Sequence, residues 1–483
     1  MKDSMQSKSL SDNLILNFEV MSPIHIGTRE GKLTSLEFIV LKDKTYVIDE
    51  DKLGRFFQEN GLIDAFVQEV GNGTFNMDKF LTAQKIPVEK CIRNISKSPI
   101  PGGSQSMGEF RPFVRDGNGD IFLPGSSLKG VFRTALLYAI ADEKYVANFV
   151  ENKLKNTNYL SERDKKKFSA DLQKNLLQGF NLPNAKNAQN KDILRCLKVR
   201  DAYPIGEIQT RIIPINYLSK SKDKGFDWSR NKKINIWIES VIKGTFQVHL
   251  VWDKDLFEKF KKENPDKMRL NGFDDLKNML SGMIRRTFEH EKEFYIGKGK
   301  EIATATSVGA WYEKNHGKSS DFIRVGYGSG FLNTTVGFHL DEPLRREILD
   351  RCGRPDNKRP GHPAPKTRRI WRNEQGQWMP LGWLCMSVAD AVIKKDSDIS
   401  TEVRKVVAQD SPSPFEKLLK ELSLTKSIDA GKHSQIIQKI ELLPNDVEKG
   451  NLAKAIQEKM SPKQFKGHPK KQYLLDLIAK AGL

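Results

Sequence analysis

The chain has 483 residues, enough for two or three domains with cores of their own. Its 80 Lys and Arg outnumber 61 Asp and Glu, and the resulting +19 points to an anionic partner, nucleic acid or a membrane surface. No apolar run approaches the ~18–20 residues of a membrane span, and residues 1–13 carry no signal-peptide core. Cys91, Cys196, Cys352 and Cys385 never form C-x-x-C, which sets aside a zinc knuckle and a disulfide framework. The expectation is a cytoplasmic protein with reduced thiols, no cofactor, no metal site and no membrane partner.

In chain order, residues 14–20 and 36–48 read as two strands joined by the loop SPIHIGTREGK. A helix over about 50–69 follows, with Leu53, Phe56, Phe57, Leu62, Phe66 and Val67 as its apolar face. Asp-Gly-Asn-Gly at 116–119 closes a hairpin that leads into a helix ending near 140. The charged, Lys- and Asn-rich residues 141–192 read as a helical insertion. Strands return at 193–202 and 207–217, and again at 234–251 around Gly244. A helix over 273–295, the run GYGSGF at 326–331 and a closing hairpin over 370–388 complete the pattern.

From 391 onward strand signals stop, and short helices follow around SPSP (411–414), LPND (443–446) and SPKQ (461–464). Leu474, Leu475, Leu477, Ile478 and Leu483 would supply an apolar face, either for docking a neighbouring protein, the favoured use, or for covering an otherwise exposed surface. The predicted fold class is α+β, with two tandem modules at 1–215 and 216–390 and a helical appendage at 391–483.

Four stretches carry candidate chemistry. In PGSSLKGVFR (124–133), Ser126 or Ser127 is the expected N-cap, and Lys129 and Arg133 share one helix face. Free N–H groups, hydroxyls and two cations describe a phosphate seat; the plainer reading is a capped core helix with solvated cations. GYGSGF fits neither a Rossmann nor a Walker spacing. Gly326, Gly328 and Gly330 still allow a close backbone approach, with Arg324 and Tyr327 beside them, unless the loop is only a tight turn. In RPGHPAPKTRRIWR (359–372), Arg368, Arg369 and Arg372 could track a backbone while Trp371 stacks; a solvated loop is the alternative. His25, between Ile24 and Ile26, reads as a packed histidine more readily than as a general base. Residues 467–473 (GHPKKQY) read as a basic surface turn.

PGSSLKGVFR resembles the signature of the RAMP superfamily of CRISPR-associated proteins. FEVMSPIHIGT (18–28), YVIDEDKL (46–53), GYGSGF and PLGW (380–383) resemble one RAMP group, the Csm5 family of type III-A complexes, and the likeness covers roughly 14–387. The resemblance implies ferredoxin-like, RRM-like modules. It also implies a non-catalytic RNA-binding subunit at the crRNA 3′ end, capping a filament of related Csm subunits in antiviral defence. Maturation of that end would fall to recruited cellular nucleases. On the same ground Lys129 and Arg133 match a basic helix face, Gly326, Gly328 and Gly330 a glycine-rich loop, and His25 and Gly27 the first loop. Two rival readings stand beside it: a metal-independent RAMP endoribonuclease with His25 as base, and a protein scaffold whose charge serves solubility.

Overall fold

A computed structural model describes residues 11–28, 31–41, 44–73, 75–97, 107–155, 161–183, 185–228, 236–351 and 363–389, then scattered positions from 415 and a continuous stretch at 445–482. Strand β1 (Ser11–Val20) buries alternate residues Leu16, Phe18 and Val20 on one face. After β2 (Leu33–Thr34), the single strand expected over 36–48 proves to be a hairpin of β3 (Phe38–Leu41) and β4 (Lys44–Ile48). The expected helix over 50–69 is likewise two. Asp49 caps α1 (Glu50–Asn60), Gly61 ends it at φ +66°, and α2 (Ile63–Gly71) follows. Next come α3 (Met77–Ala83), β5 (Ile92–Lys97), β6 (Glu109–Arg111) and the signature helix α4 (Gly125–Ile140).

Helices α5 (Glu143–Leu154) and α6 (Glu162–Leu177) occupy the predicted insertion. The segment is helical as expected, but it is not a mere insertion: Val146, Val150, Leu154, Leu172 and Leu177 are buried in the main core, so this segment is built into the fold. Strands β7 (Leu197–Val199), β8 (Tyr203–Pro204), β9 (Gln209–Ser221), β10 (Gly225–Trp228), β11 (Ile236–Lys243) and β12 (Thr245–Asp253) precede α7 (Lys254–Glu263), α8 (Phe273–Phe294) and α9 (Ile302–Asn315). The series closes with β13 (Phe322–Arg324), α10 (Gly330–Thr334), α11 (Glu342–Arg351), β14 (Thr367–Arg372), β15 (Trp378–Pro380) and β16 (Trp383–Val388).

These strands form two sheets. One has the order β13-β16-β1-β12-β7, with β8 also on β12; the other runs β2-β6-β11-β9-β5-β4-β3, with β10 and β14 also on β9. Phe18 of β1 stands opposite Phe246 on one side and Met386 on the other. The apolar face of the first sheet shares its core with α4 and α8, where Phe132 and Phe273 meet at 6.0 Å between ring centroids. A division into tandem modules near 215 does not follow the strands. β9 passes through that position, and β1 takes partners from residues far beyond it.

Residues 1–395 and 396–483 are two compact units. In the second, α12 (Asp446–Glu458), α13 (Pro462–Lys466) and α14 (Lys471–Lys480) surround their own core. Leu474, Leu477 and Ile478, expected to face a partner, are buried there with Leu452, Ala453 and Ile456. SPSP, residues 359–362 and the proposed boundary at 390/391 lie outside the described residues.

Candidate nucleic-acid interface

Helix α4 starts differently from the expectation. Pro124 holds the cap position, and neither Ser126 nor Ser127 makes a capping bond. The Gly125 N–H donates to Asp201 Oδ1 at 2.7 Å, so a carboxylate already sits at the N-terminus read as an anion seat. A Cβ at Gly125 would lie 2.4 Å from the Val199 carbonyl oxygen, which explains the glycine. Lys129 Nζ donates to Leu197 O at 2.7 Å, and burial lowers its pKa. Arg133 Nη1 pairs with Asp192 Oδ2 at 2.8 Å. Both cations therefore tie α4 to the 192–197 segment.

The glycine-rich loop packs against the first loop. Gly326 has φ +68°, and a Cβ there would lie 2.2 Å from the His25 carbonyl oxygen. That carbonyl accepts the Tyr327 N–H at 2.8 Å, and Ser329 Oγ donates to Gly326 O at 2.9 Å. At Gly328 (φ +113°) a Cβ would meet Leu381 at 2.7 Å, so the 380–383 segment joins the cluster. Nothing lies within 4 Å of a Cβ at Gly330. Three stretches remote in sequence, 23–28, 326–330 and 380–383, thus meet at one place.

His25 is 2% exposed, and its Nδ1 lies 2.7 Å from Glu239 O. Its ring stands edge-on to Phe113 and Tyr327, and burial lowers its pKa to about 4. It is a neutral packing residue, and Gly27 leaves room for its ring: a Cβ there would be 3.2 Å from Nε2. Arg324 is buried, donating from Nε to Leu381 O at 3.1 Å with its guanidinium 5.0 Å from the Trp383 ring. Arg368 is also buried, its Nε 2.9 Å from both Glu291 oxygens and its guanidinium 3.7 Å from the Phe294 ring.

A different set reaches solvent. Tyr327 is half-buried, with the Arg369 guanidinium 4.1 Å and that of Arg111 5.9 Å from its ring centroid. Its hydroxyl is 2.8 Å from that of Tyr217, whose pKa rises to about 12 through burial and this hydrogen bond. Register brings Arg369 of β14 opposite Tyr217 of β9, while Arg111 arrives on β6. Among the described residues neither Arg111 nor Arg369 has a carboxylate partner. Two half-exposed guanidiniums beside an aromatic ring suit a phosphate and a stacked base. Tyr327 and Arg369 were foreseeable from GYGSGF and the arginine run. Arg111 and Tyr217 were not, since only strand pairing delivers them; the alternation of β9 was the one sequence signal for Tyr217. Among the described residues no three potential ligands gather to hold a metal ion, and no helix is long and apolar enough to cross a membrane.

The profile of the RAMP superfamily matches residues 17–302. The chain belongs to the RAMP superfamily. Within it, the similarity is to Csm5 proteins. A Methanocaldococcus jannaschii protein named CRISPR system Cms protein Csm5 is 25% identical over 334 residues, 66% of this chain and 71% of the relative. The Streptococcus thermophilus protein of the same name is 34% identical over 134 residues, 25% of this chain and 37% of the relative. The matched stretch thus spans little over a third of that bacterial relative. Among solved structures, a Csm–crRNA–target RNA ternary complex of a type III-A system contains a chain 20% identical to this RAMP protein. It has a TM-score of 0.48 and covers 77% of this chain and 100% of its own. The crystal structure of T. onnurineus Csm5 is 19% identical, with TM-score 0.48, and covers 76% and 99%.

Proposed function

We propose that this RAMP protein is a non-catalytic, RNA-binding subunit of a type III-A CRISPR effector complex, bound at the 3′ end of the crRNA. One observation carries the RNA reading: Tyr327 of the glycine-rich loop, Arg369 of β14, Arg111 of β6 and Tyr217 of β9 form a half-exposed basic and aromatic cluster. Membership of the superfamily and the Csm5 names of its relatives support the assignment to such a complex. Related Csm subunits are then its protein partners, cellular nucleases trim the guide, and the cytoplasm is its compartment. The first sheet with α4 and α8 is read as one ferredoxin-like weave, β-α-β-β-α-β, drawn from the whole of residues 11–388.

The endoribonuclease reading finds less support. A general base must reach the 2′-OH, whereas His25 is enclosed, neutral and hydrogen-bonded to a backbone carbonyl. Anisotropy with single-stranded guide RNA tests the proposal. Arg111→Gln with Arg369→Gln should lower affinity and reduce the slope of log K against log salt by roughly 0.7 per lost phosphate contact. An unchanged slope would remove the cluster from the RNA path.

A further inference from the structure

The cations of the signature motifs are mostly engaged inside the protein, whereas a set in the C-terminal unit is not. Between Glu458 and Asp476 the chain has no carboxylate, and it places Lys463, Lys466, His468, Lys470 and Lys471 around one knuckle between α13 and α14. Backbone bonds fold this knuckle tightly: Gly467 N–H to Lys463 O, His468 N–H to Phe465 O and Lys471 N–H to His468 O. Buried Phe465 anchors it to the core of the unit. Ser461 and Gln464 form a capping box that sets the direction of α13. Lys463, Lys466 and Lys470 are exposed and Lys471 half-exposed, and among the described residues none of the four has a carboxylate partner. Lys470 Nζ lies 5.6 Å from the centroid of the Tyr473 ring, which is half-buried one turn into α14.

We infer that this lysine knuckle is a second RNA-backbone contact, separate from the Tyr327 cluster and able to seat a short run of single-stranded phosphates. Four ammonium groups on a fixed turn neutralise phosphates without reading sequence. With no carboxylate among the described residues in ion-pair contact, the four cations repel one another in the free protein, a cost that a polyanion relieves. A membrane surface would also attract lysines, but lasting attachment needs apolar side chains to enter the lipid. The apolar residues of the knuckle, Phe465 and Leu474, face inward, so RNA is the occupant argued for. The inference rests on the proposed function only in taking RNA as the polyanion.

The test uses the full chain and a 20-nucleotide oligouridylate, with affinity measured across a salt series. Changing Lys463, Lys466, Lys470 and Lys471 together to Gln should reduce the slope of log K against log salt by roughly 2 to 3, at about 0.7 per contact. The corresponding set of Arg replacements should keep the slope, which separates lost charge from lost structure. Arg111→Gln with Arg369→Gln, combined with the Gln set, should lower the slope additively. If the Gln set leaves the slope unchanged while the Arg111 and Arg369 changes lower it, the knuckle is excluded and the Tyr327 interface stands. If only the Gln set lowers it, the knuckle stands and the interface proposed above falls. Loss of binding to phosphatidylserine vesicles with RNA binding intact would overturn the inference in favour of a membrane surface.

Discussion

Tyr327 offers two separable contributions, a ring that cations flank and a hydroxyl that meets Tyr217. Tyr327→Phe should keep most RNA affinity, whereas Tyr327→Leu should cost about 1–3 kcal/mol of binding, as loss of a stacked base does; competition anisotropy reads both. Arg368, a predicted RNA contact, is instead half of a buried ion pair with Glu291. Arg368→Ala strands that carboxylate and should destabilise the fold by roughly 3–5 kcal/mol, measured by urea unfolding. His25 gives a pH signature. It binds a proton near 6.5 when unfolded but only near pH 4 when folded, so the unfolded state takes up more protons between those values. Its contribution is complete above pH 6.5 and is lost as pH falls towards 4, about 3 kcal/mol in all. In His25→Gln the pH dependence of unfolding over this window should flatten; an unaltered profile would mean that other groups set it.

At the level of elements, α4 is held by Arg133–Asp192 and Lys129–Leu197 contacts. Lys129→Ala with Arg133→Ala should therefore lower the unfolding midpoint, with about 1–3 kcal/mol from leaving Asp192 buried without its cation, while the RNA salt slope stays nearly level. Gly326→Ala should be worse for its size. Its Cβ would strike backbone, and the strained φ adds to the clash, so the loop must move and RNA affinity should fall with stability. The extents of α4 and α8 were legible from periodicity because each has one apolar face and a clear end, and Gly244 marked the break between β11 and β12. The 36–48 hairpin and the α1–α2 break were not, since the pair Lys42 and Asp43 and the single Gly61 scarcely disturb the apolar pattern. The internal partners of the cations were illegible for a different reason. Spacing shows that Lys129 and Arg133 share a face, but Asp192 and Leu197 come to that face only through folding. Conversely, the lysine knuckle looked ordinary in sequence, and what marks it among the described residues is the clustering of four lysines without the carboxylate or backbone partners that hold Lys129, Arg133 and Arg368.

For the molecule as a whole, residues 1–395 and 396–483 have separate cores, so a chain ending at 395 should keep the thermal transition of the first unit and lose only the RNA affinity owed to the knuckle. Differential scanning calorimetry checks the first claim, and a disappearance of that transition would show the tail to be part of the core. The central place of β1 in its sheet has a further result for how the chain is made. Its partners are β12, more than two hundred residues later, and β16, later still. During synthesis the alternating strand Ser11–Val20 can pair with β12 once residue 253 has left the ribosome, but its other hydrogen-bonding edge stays open until residue 388 has followed. Such long-range closure is entropically slow. Nascent chains stalled at about residue 380 should therefore remain protease-sensitive near β1, and those extended to about 430 should become resistant together across β1, β12 and β16. Acquiring the last strand is then the event that turns a synthesised polypeptide into a folded one.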